Sequence, residues 1–257
     1  MEKGRLISFE GLDGAGKSTQ MTMLARWLDT QHVPFIQTRE PGGTSLGNEI
    51  RQLLLNRPEL AIVPLAEAFL FQADRAQHFA TLVIPALQEG KLVLTDRCFD
   101  ASIAYQGFAR GLDIALIENL SLLATQGYKP DLTILLDLDP SQVQKRTGYV
   151  QQLLLPNIDK TSNQIDVHKR ANRLDTEAQS FHHRVREGFL AQARANRGRI
   201  KKVDASAPVK EVHEQIINYI RPLLNEHPQH LLSSKNSGYT QPEEEEISCQ
   251  KDLYAGM

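Results

Sequence analysis

The run Gly11-Leu12-Asp13-Gly14-Ala15-Gly16-Lys17-Ser18 matches the pattern G-x-x-x-x-G-K-[ST] at every position. It constrains the fold tightly, because the pattern works only where a strand ends and a helix begins. Glycines let the backbone curl until successive N–H groups face phosphate oxygens, and the following helix adds the partial positive charge of its N-terminus. The flanks meet that demand: Arg5 to Phe9 reads as a strand, and Met21, Leu24, Ala25 and Leu28 recur at helical spacing. The loop predicts a bound nucleoside triphosphate, with Lys17 reaching the β- and γ-phosphates and the Ser18 hydroxyl ligating Mg2+.

Further strand-like runs alternate with longer helical patterns, the signature of a parallel sheet covered on both faces. The strands are expected at Leu6 to Phe9, Phe35 to Thr38, Leu92 to Thr95, Leu132 to Leu136 and Ile200 to Val203. Helical patterns lie at Leu46 to Leu54, Leu65 to Leu87, Ile114 to Ala124, Phe181 to Ala195 and from Val209 through Ile220. With 257 residues, 41% of them apolar, the chain can bury a substantial core. One α/β domain is expected over 1–224. Within it, 147–169 lacks a sustained period and lies between basic clusters, so it reads as an inserted mobile lid. Residues 225–257 are polar, carry the run Glu243 to Glu246, and are expected to form a disordered acidic tail.

Composition narrows the function classes. A formal net charge of −2 offers no global basic field for nucleic acid. Cys98 and Cys249 stand apart without C-x-x-C spacing, and the histidines show no H-E-x-x-H, so neither a disulfide framework nor a protein-built transition-metal site is expected. No apolar run approaches the about 18 residues of a membrane span, and no cationic, apolar leader precedes the first strand. The chain reads as cytoplasmic, with no membrane partner.

Four other segments hold candidate chemistry. Asp96-Arg97 ends the third strand at the carboxyl edge, where open α/β sheets bind ligands; Asp96 can hold Mg2+ beside Ser18, or simply cap a helix. Arg39, before Glu40-Pro41-Gly42-Gly43-Thr44, can fork onto a phosphate or sit in a plain turn. Phe71 and Arg75 share a helix face at i and i+4, which suits a nucleobase but equally a buried ring beside a surface cation. Ser102, Tyr105 and Gln106 supply hydroxyl, ring and carboxamide for a base edge and sugar, or form a polar loop closed by Gly107. Lys145, Arg146, Lys169, Arg170 and Arg173 flank the lid segment, where cations can serve a phosphoryl group or form a solvated basic face.

Taken in order, FEGLDGAGKST, REPGGT, LFQADR, DRCFDASIAYQG, KPDLTILLDL and RLDTEAQSFHHRV resemble the thymidylate kinase family over about residues 4–221. The resemblance implies a three-layer P-loop kinase fold with a five-stranded parallel sheet, and γ-phosphoryl transfer from ATP to dTMP with Mg2+, usually by a homodimer. It implies that Gly11, Leu12, Asp13, Gly14, Ala15, Gly16, Lys17, Ser18 and Thr19 hold ATP, with Arg146 against adenine. Asp13 would sit near the acceptor phosphate, Arg39 and Arg97 would clamp it, and Asp96 would share magnesium with Ser18. Phe71 would stack on thymine, Arg75 and Gln106 would hydrogen-bond it, Ser102 would lie beside it, and Tyr105 would pack on the sugar. Some members carry a catalytic arginine in the P-loop where this chain has Gly14. The chain therefore resembles the subtype that takes this charge from the lid, with Arg173 expected first and Arg170 second. It departs from the family pattern in a longer lid, in Asn172 where aspartate is usual, and in Ala101 where serine is usual.

Two other readings compete: a kinase for another nucleotide or a deoxynucleoside, and a nucleotide-binding interaction module whose lid does not close. A GTPase-type switch is disfavoured by the missing N-K-x-D motif.

Overall fold

The structure, a computed structural model, describes residues 4–143, 173–174 and 177–225. The lid segment 147–169, Arg146, Arg170 and the tail beyond Asn225 lie outside the described residues.

Five strands form one parallel sheet: β1 (Leu6–Glu10), β2 (Phe35–Arg39), β3 (Leu92–Asp96), β4 (Leu132–Asp137) and β5 (Ile200–Asp204), in the order β2-β3-β1-β4-β5. Parallel strands need crossovers, and helices supply them. Helix α1 (Lys17–Thr30) and the last helix, Val209–Asn225, cover one face. Met21, Leu24 and Leu28 from the first and Val212, Ile216 and Ile220 from the last meet Ile7, Phe9, Leu94, Ile134 and Leu136. Period two sends the intervening residues to the opposite face. That face is partly polar: the Ser8 and Thr133 hydroxyls lie 2.8 Å apart, Thr133 donates to Asp100 at 3.0 Å, and Arg199 grips both Asp100 oxygens at 2.6 and 2.7 Å. A buried carboxylate with a bidentate arginine satisfies both partners.

The covering elements of that second face carry the cleft. Helix α2 (Ser45–Leu55) starts at Thr44, whose hydroxyl accepts from Gly47 N at 3.0 Å, a cap worth about 1 kcal/mol. Helix α3 (Pro64–His78) begins with proline at its first position. The expected single helix from Leu65 to Leu87 is instead interrupted by a π-helical turn, Phe79–Val83, before α4 (Ile84–Gln88). Pro85 has no N–H for an α-helical bond back to Thr81, which accounts for the lost regularity.

After β3, the segment that reads equally as a polar loop forms a short helix, α5 (Phe99–Ser102), running into a π-helical segment Ile103–Ala109. Such segments recur at functional sites. Helix α6 (Ile114–Ala124) starts at Asp113, whose carboxylate accepts from Leu116 N at 2.7 Å. Helix α7 (Gln179–Ala195) packs across the π-helical segment, and α8 is the last helix, Val209–Asn225. Helix α8 thus includes Asn225, which composition alone assigns to the tail.

Candidate active site

All five strands end in a charged residue: Glu10, Arg39, Asp96, Asp137 and Asp204. The phosphate-loop sequence joins β1 to α1 along this edge. Gly11 has φ +129° and comes so close to β4 that an added Cβ would lie 2.4 Å from the Leu136 carbonyl oxygen. Gly16, at φ +101°, caps α1 in the left-handed region. Lys17 is buried, its Nζ 3.3 Å from Gly11 O, 3.2 Å from Leu12 O, 3.3 Å from Asp13 Oδ1 and 4.0 Å from Asp96 Oδ1. A single ammonium therefore faces both the loop and the end of β3.

Beside the loop opens a cleft of about 260 Å³, just below the roughly 300–1,000 Å³ typical of small-molecule sites. It brings together Asp13, Ser18, Arg39, Phe71, Arg75, Asp96, Arg97, Ser102, Tyr105 and Gln106, ten residues singled out in the sequence. Charged groups of both signs meet within it. Arg97, held at φ +71°, donates to Asp13 Oδ1 at 2.8 Å and to the Tyr105 hydroxyl at 3.0 Å. Its burial opposes the charge, but Asp13, Tyr105, Asp96 and Glu10 outweigh that and hold it firmly protonated. Desolvation raises the Asp13 pKa, yet Arg97 and Lys17 prevail and keep it well below the usual carboxylate range.

Beneath Arg97 lies Glu10, completely buried. Its Oε1 accepts from Cys98 N at 2.8 Å, while Oε2 has no hydrogen-bond partner and sits 4.0 Å from Arg97 Nη1. Burial pushes its pKa up to about 8 against the pull of Arg97.

Phe71 and Arg75 define the other end. Arg75 is 1% exposed, and its donors reach Glu40 Oε2 (2.8 Å), Gln72 Oε1 (2.9 Å), Ser102 Oγ (3.0 Å) and Cys98 O (3.1 Å). Those bonds leave one Nη2 hydrogen without a partner among the described residues, on a guanidinium that lines the cleft. Burial works to raise the pKa of Glu40 as well, but Arg75 and His78 hold it down. Gln106, equally buried, donates from Nε2 to Glu67 Oε1 at 3.0 Å. The half-buried Phe71 lines the same cleft and packs against the apolar cluster that holds Leu55 and Leu174.

Arg173 is not among the lining residues. Its Nε donates to Leu54 O at 2.9 Å and its Nη2 to Glu67 Oε2, so the lid-end arginine expected at the phosphates is tied to α2 and α3. Two charged groups beside the expected set were not singled out in the sequence. Arg51 lines the cleft and bonds Pro41 O at 2.8 Å; burial and repulsion from Arg39 lower its pKa. Glu67 lies under Gln106. Its signal was available, since Glu67, Phe71 and Arg75 stand at i, i+4 and i+8 on one stripe of α3.

The strand-loop-helix cradle at the carboxyl edge of a parallel sheet, with cations around an adjoining cleft, belongs to the P-loop phosphotransferases. Comparison with known proteins narrows this. The family model described as thymidylate kinase matches residues 9–216. A thymidylate kinase from Pelotomaculum thermopropionicum is 41% identical over 223 residues, covering 87% of this chain and 95% of the relative. One from Leifsonia xyli subsp. xyli is 46% identical over 213 residues, covering 83% and 92%. The crystal structure of thymidylate kinase from Ehrlichia chaffeensis superimposes with a TM-score of 0.62 at 30% identity, covering 85% of this chain and 99% of that one. The chain belongs to the thymidylate kinase family.

Proposed function

We infer that this chain transfers the γ-phosphoryl group of ATP to dTMP, giving dTDP and ADP for dTTP synthesis. The observation that carries the reading is the polarity of the cleft, with Arg39, Arg51 and Arg97 toward the loop and Phe71, Arg75, Ser102 and Gln106 at the far end. A nucleoside monophosphate has the same polarity, dianionic at one end and a flat heterocycle at the other. Arg75 offers an N–H to a base carbonyl and Phe71 a face for stacking. Tyr105, bonded to Arg97, occupies the wall between, where the sugar lies.

In this reading the phosphate-loop amides from Gly11 to Thr19 and Lys17 bind the triphosphate, while Asp13, Arg39, Arg51 and Arg97 align the acceptor phosphate. Catalysis rests on positioning and charge neutralisation, since the acceptor oxygen is already anionic. The residues present fit a magnesium ion: Asp96 Oδ1 is buried with no hydrogen-bond partner, and Ser18 lines the same cleft. Among the described residues no cluster of three or more His, Cys, Asp or Glu side chains is placed to hold a metal. Ser18 and Asp96, directly or through water, would therefore hold the ion together with nucleotide phosphates, and it would supply charge neutralisation there. The anchoring of Arg173 on Glu67 favours Arg170 as the cation from the lid, with Arg146 against adenine; both rest on the family resemblance.

A homodimer is part of the proposal. Leu65 and Phe69 of α3 and Ile114, Leu116 and Leu123 of α6 are exposed on two helices that pack together, with Phe69 at 51% and Leu123 at 77%. An apolar surface of this kind marks an interaction site. Among the described residues no helix is long and apolar enough to cross a membrane; a cytoplasmic location accompanies the reading.

The test is ADP release from ATP and Mg2+ with dTMP, dUMP, UMP, CMP or AMP as acceptor. The highest kcat/KM is expected with dTMP. Faster turnover of CMP or AMP would overturn the substrate assignment, and nucleotide binding without ADP formation would favour the interaction module.

A further inference from the structure

Glu67 is completely buried and does not line the cleft, yet it collects the donors around the base end. Its Oε1 accepts from Gln106 Nε2 at 3.0 Å and Arg110 Nε at 3.2 Å. Its Oε2 accepts from Arg110 Nη2 at 3.2 Å and from Arg173 Nη2. Burial would raise its pKa, but the bonds from Arg110, Arg173 and Gln106 keep it below the ordinary value. Arg110 is held in turn over the Phe181 ring, 4.6 Å from its centroid, and against Glu177 at 2.6 Å.

An ionised carboxylate accepts hydrogen bonds and has none to give. A carboxamide facing it must therefore turn its nitrogen inward. Gln106 does so, and its Oε1 accepts no hydrogen bond within the described residues. The end presented to a ligand is then an acceptor. Thymine and uracil carry an N–H at ring position 3, whereas cytosine carries a lone pair there. One buried charge outside the cleft thus determines which base edge the cleft accepts.

We propose that Glu67 is a positioning residue for base specificity, locking the Gln106 carboxamide with its oxygen toward the base so that an N3–H pyrimidine is selected over cytosine. Arg110 and Arg173 contribute by keeping Glu67 an acceptor. The proposal rests on the reading that the cleft binds dTMP.

Glu67→Gln tests it, because an amide of the same shape can donate and so lets Gln106 turn over. The expected result is a dTMP to dCMP ratio of kcat/KM reduced by about ten-fold or more, through a higher KM for dTMP with kcat within a few-fold. Arg75 still disfavours the cytosine amino group, so the ratio shrinks without inverting. Gln106→Met should reduce the ratio similarly, and the double variant should reduce it no further, since Glu67 acts through Gln106. Glu67→Asp remains an acceptor and should keep the ratio while raising the KM for dTMP; it carries the test alone if Glu67→Gln does not fold by circular dichroism. Equal losses on dTMP and dCMP in Glu67→Gln, additivity in the double variant, or a collapsed ratio in folded Glu67→Asp would each overturn the proposal. A wild-type protein without preference for dTMP would instead refute the substrate assignment on which it rests.

Discussion

Gly11→Ala and Gly16→Ala separate two costs that the phosphate loop combines. Both residues have backbone angles that side chains rarely adopt, φ +129° and +101°. Such conformations cost on the order of 1–3 kcal/mol for a non-glycine residue, less about 0.4–1 kcal/mol recovered because alanine stiffens the unfolded chain. At Gly16 nothing lies within 4 Å of the new Cβ, so that is the whole penalty. At Gly11 the Cβ arrives 2.4 Å from Leu136 O, about 1 Å inside ordinary contact at 3.4 Å, and the obstacle is backbone of a central strand that cannot swing aside. Overpacking of this kind adds roughly 1–3 kcal/mol. Gly11→Ala is therefore expected to lose about 1–3 kcal/mol more than Gly16→Ala, a large part of the about 5–15 kcal/mol that stabilises a typical domain. Urea unfolding followed by circular dichroism at one pH reads the difference as a shift in midpoint at constant slope. Equal midpoints for the two variants would refute the close-approach argument, and a wild-type midpoint for both would refute the backbone argument too.

Three further outcomes are expected. Arg51→Ala should raise the KM for dTMP by about ten-fold, the loss of one charged contact, while leaving the thermal midpoint within a few degrees; unchanged steady-state kinetics would remove Arg51 from the phosphate end. Glu10, with a folded pKa of about 8 against 4.5 unfolded, keeps its proton in the folded chain where the unfolded chain has lost it. Its contribution is full below pH 4.5 and disappears as pH rises through 8. Asp74, raised to about 6 by burial and by Glu40, adds to the lower half of that window. Glu10→Gln should thus flatten the fall in urea midpoint between pH 6 and 8, and an unaltered slope there would contradict the assignment. Finally, Phe69→Asp with Leu123→Asp should convert a dimer to monomers in sedimentation velocity. A wild-type sedimentation coefficient in the double variant would move the interface elsewhere.

All five strands were legible in the sequence, and each runs one residue further than its apolar run. The additional residues are Glu10, Arg39, Asp96, Asp137 and Asp204. Hydrophobic patterning stops at the carboxyl edge of the sheet, so a reading built on it ends just short of these charged residues. The cleft was legible in part through Phe71, Arg75 and Gln106, which line it together, because aromatic, guanidinium and carboxamide groups carry recognisable chemistry. Arg51 was not, since one arginine on an amphipathic helix reads as a solvated face, and only the fold brings it to the Pro41 carbonyl and into the cleft lining. Glu67 was hidden differently. Acidic residues in a first helical turn are ordinary, and only the fold brings Gln106, Arg110 and Arg173 onto its carboxylate. The π-helical segment escaped periodicity because its repeat is neither two nor 3.6.

The pairing of Arg39 with Asp96, and of Asp96 with Phe9, puts residues of three neighbouring strands on a common line at the carboxyl edge. Adjacent parallel strands lie about 4.8 Å apart whatever side chains they carry. The backbone ladder therefore acts as a ruler with fixed graduations for Arg39, Asp96 and Phe9, and Glu10 stands one step past the last of them. Loops can lengthen and a lid can drift in sequence, but these three marks keep their spacing for as long as the sheet itself exists.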